Sequence, residues 1–239
     1  MATTRICPTC LATVSRGYSR CHACSVVARQ LGCDLVRVVP VALAPRGGSL
    51  HRTLVAYKAA AAAATRFDAA SLLAAALSRH LAAFRPAADG RTPFELVATV
   101  PSSGPGRASW HGVHPLVEVV RRALDAVDGS RRVAPLEILA RGPATLGHLL
   151  ASRDGYRAVA GPGGRDLARA HVDAAPGAAD ARPAGGNAAR VLVVDDLYTS
   201  GARAQSAAFA LRRAGLDVVA VVPIGRLVEP ACGASGRAA

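Results

Sequence analysis

The sequence predicts an α/β domain built on a parallel sheet and preceded by a short cysteine-rich segment. Three observations carry this. Residues 190–194 read as a strand that is apolar from Val191 on, 202–214 as a helical pattern stopped by Gly215, and 217–224 as a second strand that is apolar from Val218 on. Strand, turn, helix, glycine and strand make one βαβ unit, whose crossover makes the two strands parallel. Candidate strands and helices also alternate earlier in the chain. Ahead of them, residues 5–33 hold five of the six cysteines.

The elements follow in order. Residues 35–41 read as a short strand that Pro40 keeps at a sheet edge. Residues 50–58 and 69–84 read as helices, the second with Leu72, Ala76, Leu77, His80 and Leu81 on one face. Residues 87–93 are a turn-rich break, and 94–100 are a buried strand halted by Pro101. Residues 114–127 are helical, with proline at the start, and 135–139 return to strand. The stretch 161–189 is rich in Gly, Pro and Ala with few large apolar residues, which predicts a mobile loop. In the 202–214 helix, Ala204, Ala207, Ala208 and Leu211 share the apolar face.

Composition bounds the function. A chain of 239 residues accommodates one domain with an appendage, at roughly 150 residues per domain. Hydrophobic residues are 51% but aromatics only 4%, so the core is built from small side chains. The uncharged apolar stretches 59–65 and 218–224 fall far short of the roughly 20 residues that cross a bilayer. The first residues lack the apolar region of a secretory signal. The expectation is a soluble, cytoplasmic protein with no membrane partner. The net charge of +13 points toward polyanions. Yet the chain has one lysine, Lys58, and 28 arginines, dispersed in runs of no more than two. With abundant Ala and Gly, that pattern matches codon bias, so any binding of single-stranded nucleic acid is expected to be weak and salt-sensitive.

Cys7-Pro-Thr-Cys10 and Cys21-His-Ala-Cys24 form C-x2-C-x10-C-x2-C. Zinc takes four soft ligands at tetrahedral corners, and each C-x2-C turn offers two thiolates at about 2.3 Å from one metal. Two disulfides, or redox-active C-x-x-C turns, are the alternatives. The first suits an oxidising compartment, and the second a thioredoxin-like helix start. The expected division is a zinc knuckle over 1–34, an α/β domain over 35–228 and a tail over 229–239.

Residues 191–202, VLVVDDLYTSGA, bring an apolar strand to two carboxylates, Asp195 and Asp196, then to a hydroxyl- and glycine-bearing turn that opens into a helix. Free N–H groups at such a helix start, with Thr199 and Ser200 beside them, suit a phosphate. The carboxylates suit sugar hydroxyls, so one segment can hold both ends of a ribose phosphate. A Walker B strand also ends in acids, but no G-x-x-x-x-G-K-[ST] is present. A receiver domain needs a lysine downstream, and no lysine follows Asp196. The plain alternative is an acid pair before a helix capped by Thr199 and Ser200.

VLVVDDLYTSGA resembles the phosphoribosyl-pyrophosphate (PRPP) motif of type I phosphoribosyltransferases. Together with the four-cysteine knuckle, LVAYK at 54–58 and VATVPSSGPGRASWHG at 97–112, the chain resembles the ComF-like branch, named for bacterial competence proteins. The resemblance implies a type I phosphoribosyltransferase fold, a central parallel sheet flanked by helices. It implies that Asp195 and Asp196 hold the ribose hydroxyls, that Thr199, Ser200, Gly201 and Ala202 wrap the 5′-phosphate, and that Pro101, Ser102 and Ser103 face the pyrophosphate. Arg203 stands where the family commonly has threonine and can contact phosphate instead. With no mobile-loop lysine available, Arg107 or Arg157 would neutralise the leaving group. The implied partner is PRPP or another ribose phosphate with Mg²⁺, and the implied reaction is phosphoribosyl transfer to a nitrogen nucleophile. The alternative is a non-catalytic protein of this fold that acts in DNA uptake or nucleic-acid handling.

Overall fold

The four residues at 191–194 are wholly buried, as a strand covered on both faces must be. They lie at the centre of a computed structural model that describes residues 5–84, 93–101, 114–127, 134–136, 139–144, 146–158 and 188–229. The chain begins with an antiparallel pair of two-residue strands, β1 (Arg5–Ile6) and β2 (Thr13–Val14), followed by helix α1 (His22–Leu31). Strand β3 (Ala42–Pro45), helices α2 (Ser49–Ala59) and α3 (Ala63–Ala82), strand β4 (Leu96–Thr99) and helix α4 (Pro115–Ala126) come next. After them run β5 (Ala134–Leu136), the hairpin β6 (Leu139–Arg141) and β7 (Tyr156–Ala158), then β8 (Arg190–Tyr198), α5 (Ala202–Arg213) and β9 (Asp217–Val228).

Five strands form one sheet in the order β3, β9, β8, β4, β5, and every neighbouring pair is parallel. One face packs Leu192, Val194, Val97, Val222 and Ile224 against α2, α3 and α4 through Leu54, Leu73, Leu77, Leu116 and Val120. The other face packs Val191, Val193, Ala98 and Val221 against α5 and the cysteine segment. Cys7, Cys10, Cys21 and Cys24 are part of that second core. Phe209 of α5 meets Val27 and Leu31 of α1 beside it. The expected face of α5 is buried at Ala204, Ala207, Ala208 and Leu211. Gln205 on that helix is 1% exposed and bonds both backbone groups of Val36, at 2.9 and 2.8 Å.

Several expectations are corrected. The edge strand follows Pro40 instead of preceding it: Val38 makes a lone bridge to Val221, and the regular ladder with β9 runs from Ala42 to Pro45. Helix α3 starts at Ala63, and its buried stripe is Ala70, Leu73, Ala74, Leu77 and Leu81, leaving Leu72 66% exposed. An alanine-rich helix offers more than one apolar stripe, and the leucines at 73, 77 and 81 choose between them. β8 extends four residues past Val194, because β9 runs on beside it to pair Tyr198 with Arg226. The acid pair therefore lies within the strand. The strand expected at 135–139 is two short pieces, β5 and β6. No helix among the described residues is long and apolar enough to cross a membrane. The 161–189 loop, but for 188 and 189, and the tail beyond 229 lie outside the described residues.

Candidate functional site: an acid-floored pocket beside a four-cysteine cluster

Successive strand residues face opposite sides of a sheet, so Asp195 and Asp196 diverge. Asp196 turns toward α2, where Tyr57 Oη donates to its Oδ2 at 2.5 Å and Lys58 Nζ forms an ion pair with the same oxygen. Its Oδ1 accepts the N–H of Leu197 at 2.7 Å, and Asp195 Oδ1 accepts the N–H of Asp196 at 3.0 Å. Alternation breaks at this point. Leu197 packs against the same core as Val194, and Tyr198 joins the core that holds the cysteines.

Asp195 faces a pocket of about 190 Å³. Thr199, Ser200, Gly201, Ala202 and Arg203 line it together with Leu146, Gly147 and His148. Burial pushes the Asp195 carboxyl up to about 6, against the charges of Arg203 and Lys58, which pull it down. Gly201 is the N-cap of α5 in the left-handed region, at φ 83°. A Cβ there would also overlap the Tyr198 ring, so only glycine fits. Gly201 itself has no side chain to cap this helix end, Ser200 Oγ accepts only the first N–H, that of Ala202, at 3.5 Å, and no acidic residue stands in the first turn. It is therefore a positive dipole end with N–H groups available to an anion.

The 146–152 segment is held over this helix start by bonds the sequence did not announce. Ser200 Oγ accepts the N–H of Leu149 at 3.2 Å, and Ser206 Oγ accepts that of Ser152 at 3.0 Å. Gln30 of α1 takes the N–H of Ala151 at 2.8 Å. The signal was indirect: Gln205 and Ser206 are buried polar residues on a helix whose other inward positions are mostly alanine, and Ser200 is buried in the turn before it.

The structure thus gathers Asp195, Thr199, Ser200, Gly201, Ala202 and Arg203 at one site and turns Asp196 to the other face. Pro101 does not line this pocket: its carbonyl accepts at 3.4 Å from Oη of Tyr156, a residue of a second groove. Ser102, Ser103 and Arg107 lie outside the described residues. Arg157 lines a different groove, with Arg153 and Arg213.

The four knuckle cysteines come together, all Sγ atoms lying within 4.8 Å of one another. The turn at Cys7 is closed by Leu11, at φ 63°, whose N–H bonds Cys7 O at 3.0 Å. Cys21 caps α1, which places Cys24 in its first turn. Tetrahedral thiolates at 2.3 Å from one ion lie about 3.8 Å apart, and Cys10 and Cys21 are 3.5 Å apart. These residues fit a metal ion such as zinc. Burial opposes the Cys7 thiolate, but the N–H groups of Cys21, Cys10 and Thr9 outweigh it and hold its pKa below the ordinary value.

Comparison with protein-family models, curated proteins and solved structures gives no match for this chain.

Proposed function

We propose that the chain binds PRPP or a related ribose 5-phosphate compound and transfers the phosphoribosyl group to a nitrogen nucleophile, with structural zinc in the knuckle. The observation that carries this reading is the shared pocket: a buried carboxylate, Asp195, faces the same cavity as the glycine-started N-terminus of α5. Ribose hydroxyls donate to Asp195, and the 5′-phosphate sits against the N–H groups and hydroxyls of 199–202. In the transfer, the nitrogen forms a bond to C1′ as the C1′–O bond to pyrophosphate breaks, and the pyrophosphate leaves with the bonding pair. Arg203 offers positive charge at the pocket wall. Asp195 is the one carboxylate lining the pocket among the described residues. Mg²⁺ is commonly held by one or two carboxylates plus substrate phosphates, so it would be held here mainly by the ligand. When bound, it neutralises the departing pyrophosphate. Asp196, tied to Lys58 and Tyr57, anchors the strand that presents Asp195.

Calorimetry with PRPP and ribose 5-phosphate in Mg²⁺ tests this reading. A hydrogen bond to a charged group is worth about 1.5–3 kcal/mol, so Asp195→Asn weakens binding roughly 10- to 150-fold. Wild-type protein that binds neither compound at millimolar concentration rejects it.

A second reading rests on another groove, of about 390 Å³, lined by Arg153, Arg157, Arg213 and Tyr156. Three guanidinium groups against the single carboxylate of Asp154 favour an anionic partner. This supports the non-catalytic alternative, a protein of this fold that handles nucleic acid.

A further inference from the structure

Arg226 is a buried guanidinium, 8% exposed, that forms no ion pair with any described carboxylate. Arginine is almost never buried unless paired, because an uncompensated charge in a low-dielectric interior is costly. What it meets instead is the cysteine cluster. Its Nε donates to Cys10 O at 3.2 Å, and its Nη2 lies 3.8 Å from Cys10 Sγ. Its Nη1 donates to Tyr198 O at 3.3 Å and also to Leu227 O. The guanidinium carbon stands 5.4 Å from the centre of the Tyr198 ring.

We infer that Arg226 is the counter-charge of a metal-loaded, four-thiolate centre and that, through Tyr198, it couples that centre to the turn and helix start at 199–204. A divalent ion with four thiolates carries a net charge of −2, which gives Arg226 the partner it otherwise lacks. Two disulfides, or four neutral thiols, would leave it uncompensated. The N–H groups of Arg226 in turn stabilise the thiolates, as outer-shell donors do at metal sites. Tyr198 fills the space directly under Gly201, whose missing Cβ leaves room for the ring. The metal centre, Arg226, Tyr198 and Gly201 are therefore in continuous contact. Metal occupancy sets how firmly the turn before α5 is held. This rests on the proposal that the knuckle binds zinc and deepens it by giving the zinc a second role.

Two measurements on the full chain test the inference, and neither uses ribose phosphate, so its failure is distinguishable from failure of the pocket assignment. Zinc affinity is measured by competition with a chromogenic chelator. Arg226→Met lowers it 10- to 100-fold, and Arg226→Lys, which keeps the charge, recovers part of the loss. Amide hydrogen exchange of the wild-type protein is then compared with and without zinc. Exchange at 199–204 accelerates at least tenfold on zinc removal while the buried stripe of α3 stays protected. Should Arg226→Met fail to fold, the wild-type exchange experiment decides alone. The inference is overturned by a protein that takes up no zinc, by wild-type zinc affinity in Arg226→Met, or by exchange at 199–204 that ignores zinc. Uniform acceleration that includes α3 overturns it as well, because that is global unfolding and not a local contact.

Discussion

Lys58, the only lysine in the chain, forms a nearly buried ion pair with Asp196, and its neighbour Tyr57 hydrogen-bonds the same carboxylate oxygen. The side chains are 16% and 4% exposed. Helix α2 is thereby locked to the strand that carries Asp195. Breaking such a pair from one side leaves an unpaired charge and costs about 3–5 kcal/mol, whereas replacing both partners with apolar residues is often near neutral. Lys58→Met is therefore strongly destabilised in urea unfolding, and Lys58→Met with Asp196→Leu recovers much of the loss. Equal and additive losses in the two single variants would show that the pair is not coupled.

Asp195 gives the pH dependence a definite sign. Its carboxyl titrates near 6 in the folded chain, above the ordinary 3.8, because burial disfavours the charged form. The folded state then holds this proton more tightly than the unfolded state. The contribution is fully present below pH 4 and is lost as pH rises through about 6. The full effect is on the order of 3 kcal/mol. Asp195→Asn keeps an oxygen for the Asp196 N–H and does not ionise. Its stability relative to wild type accordingly rises between pH 4 and 7, measured by denaturation at fixed zinc. A difference that stays flat over that range would place the titration elsewhere.

Gly201 is demanded by the fold before any ligand arrives. A side chain there meets a left-handed backbone that costs about 1–3 kcal/mol and also collides with Tyr198. Gly201→Ala lowers the thermal midpoint, and adding Tyr198→Leu, which vacates the ring space, returns part of it. Loss of phosphate binding with unchanged stability in Gly201→Ala would mean that the ring yields at no cost.

The arginine groove predicts a salt dependence. Three phosphate contacts on a single strand give a slope near −2 in log affinity against log salt, at about −0.7 per contact. Arg157→Ala lowers that slope by about 0.7 in fluorescence titrations with an oligonucleotide. Submicromolar binding that survives 200 mM salt would instead mark a dedicated nucleic-acid surface and favour the second reading.

What the sequence made legible was local. The βαβ unit around α5 stood out because an unbroken apolar run, a helical stripe and Gly215 lie side by side in the chain. The doubled C-x2-C was legible for the same reason. Contacts between distant segments were not. Tyr57 and Asp196 are 139 residues apart, and nothing near either announces the other. The extension of β8 to Tyr198 depends on β9 continuing beside it through Pro223, Gly225 and Arg226, residues that interrupt a strand pattern. The divergence of the two acids follows from that extension, since adjacent side chains separate only while the backbone remains a strand. The hairpin β6–β7 carries too few residues for periodicity to register.

The bidentate grip of Gln205 on Val36 bears on how copies of this chain meet one another. A sheet edge with open N–H and C=O groups is a template for a strand from another molecule. Here the chain leading into the β3 edge has both backbone groups of Val36 already taken by a helix side chain. The ladder that remains is four residues long and ends at Pro45, which has no N–H to offer. Val36 is itself only 3% exposed and Gln205 1%, so the edge open to another molecule is confined to those four residues. Gln205→Leu would strand two buried backbone groups and lower the unfolding midpoint without offering a new strand for a second copy to pair with.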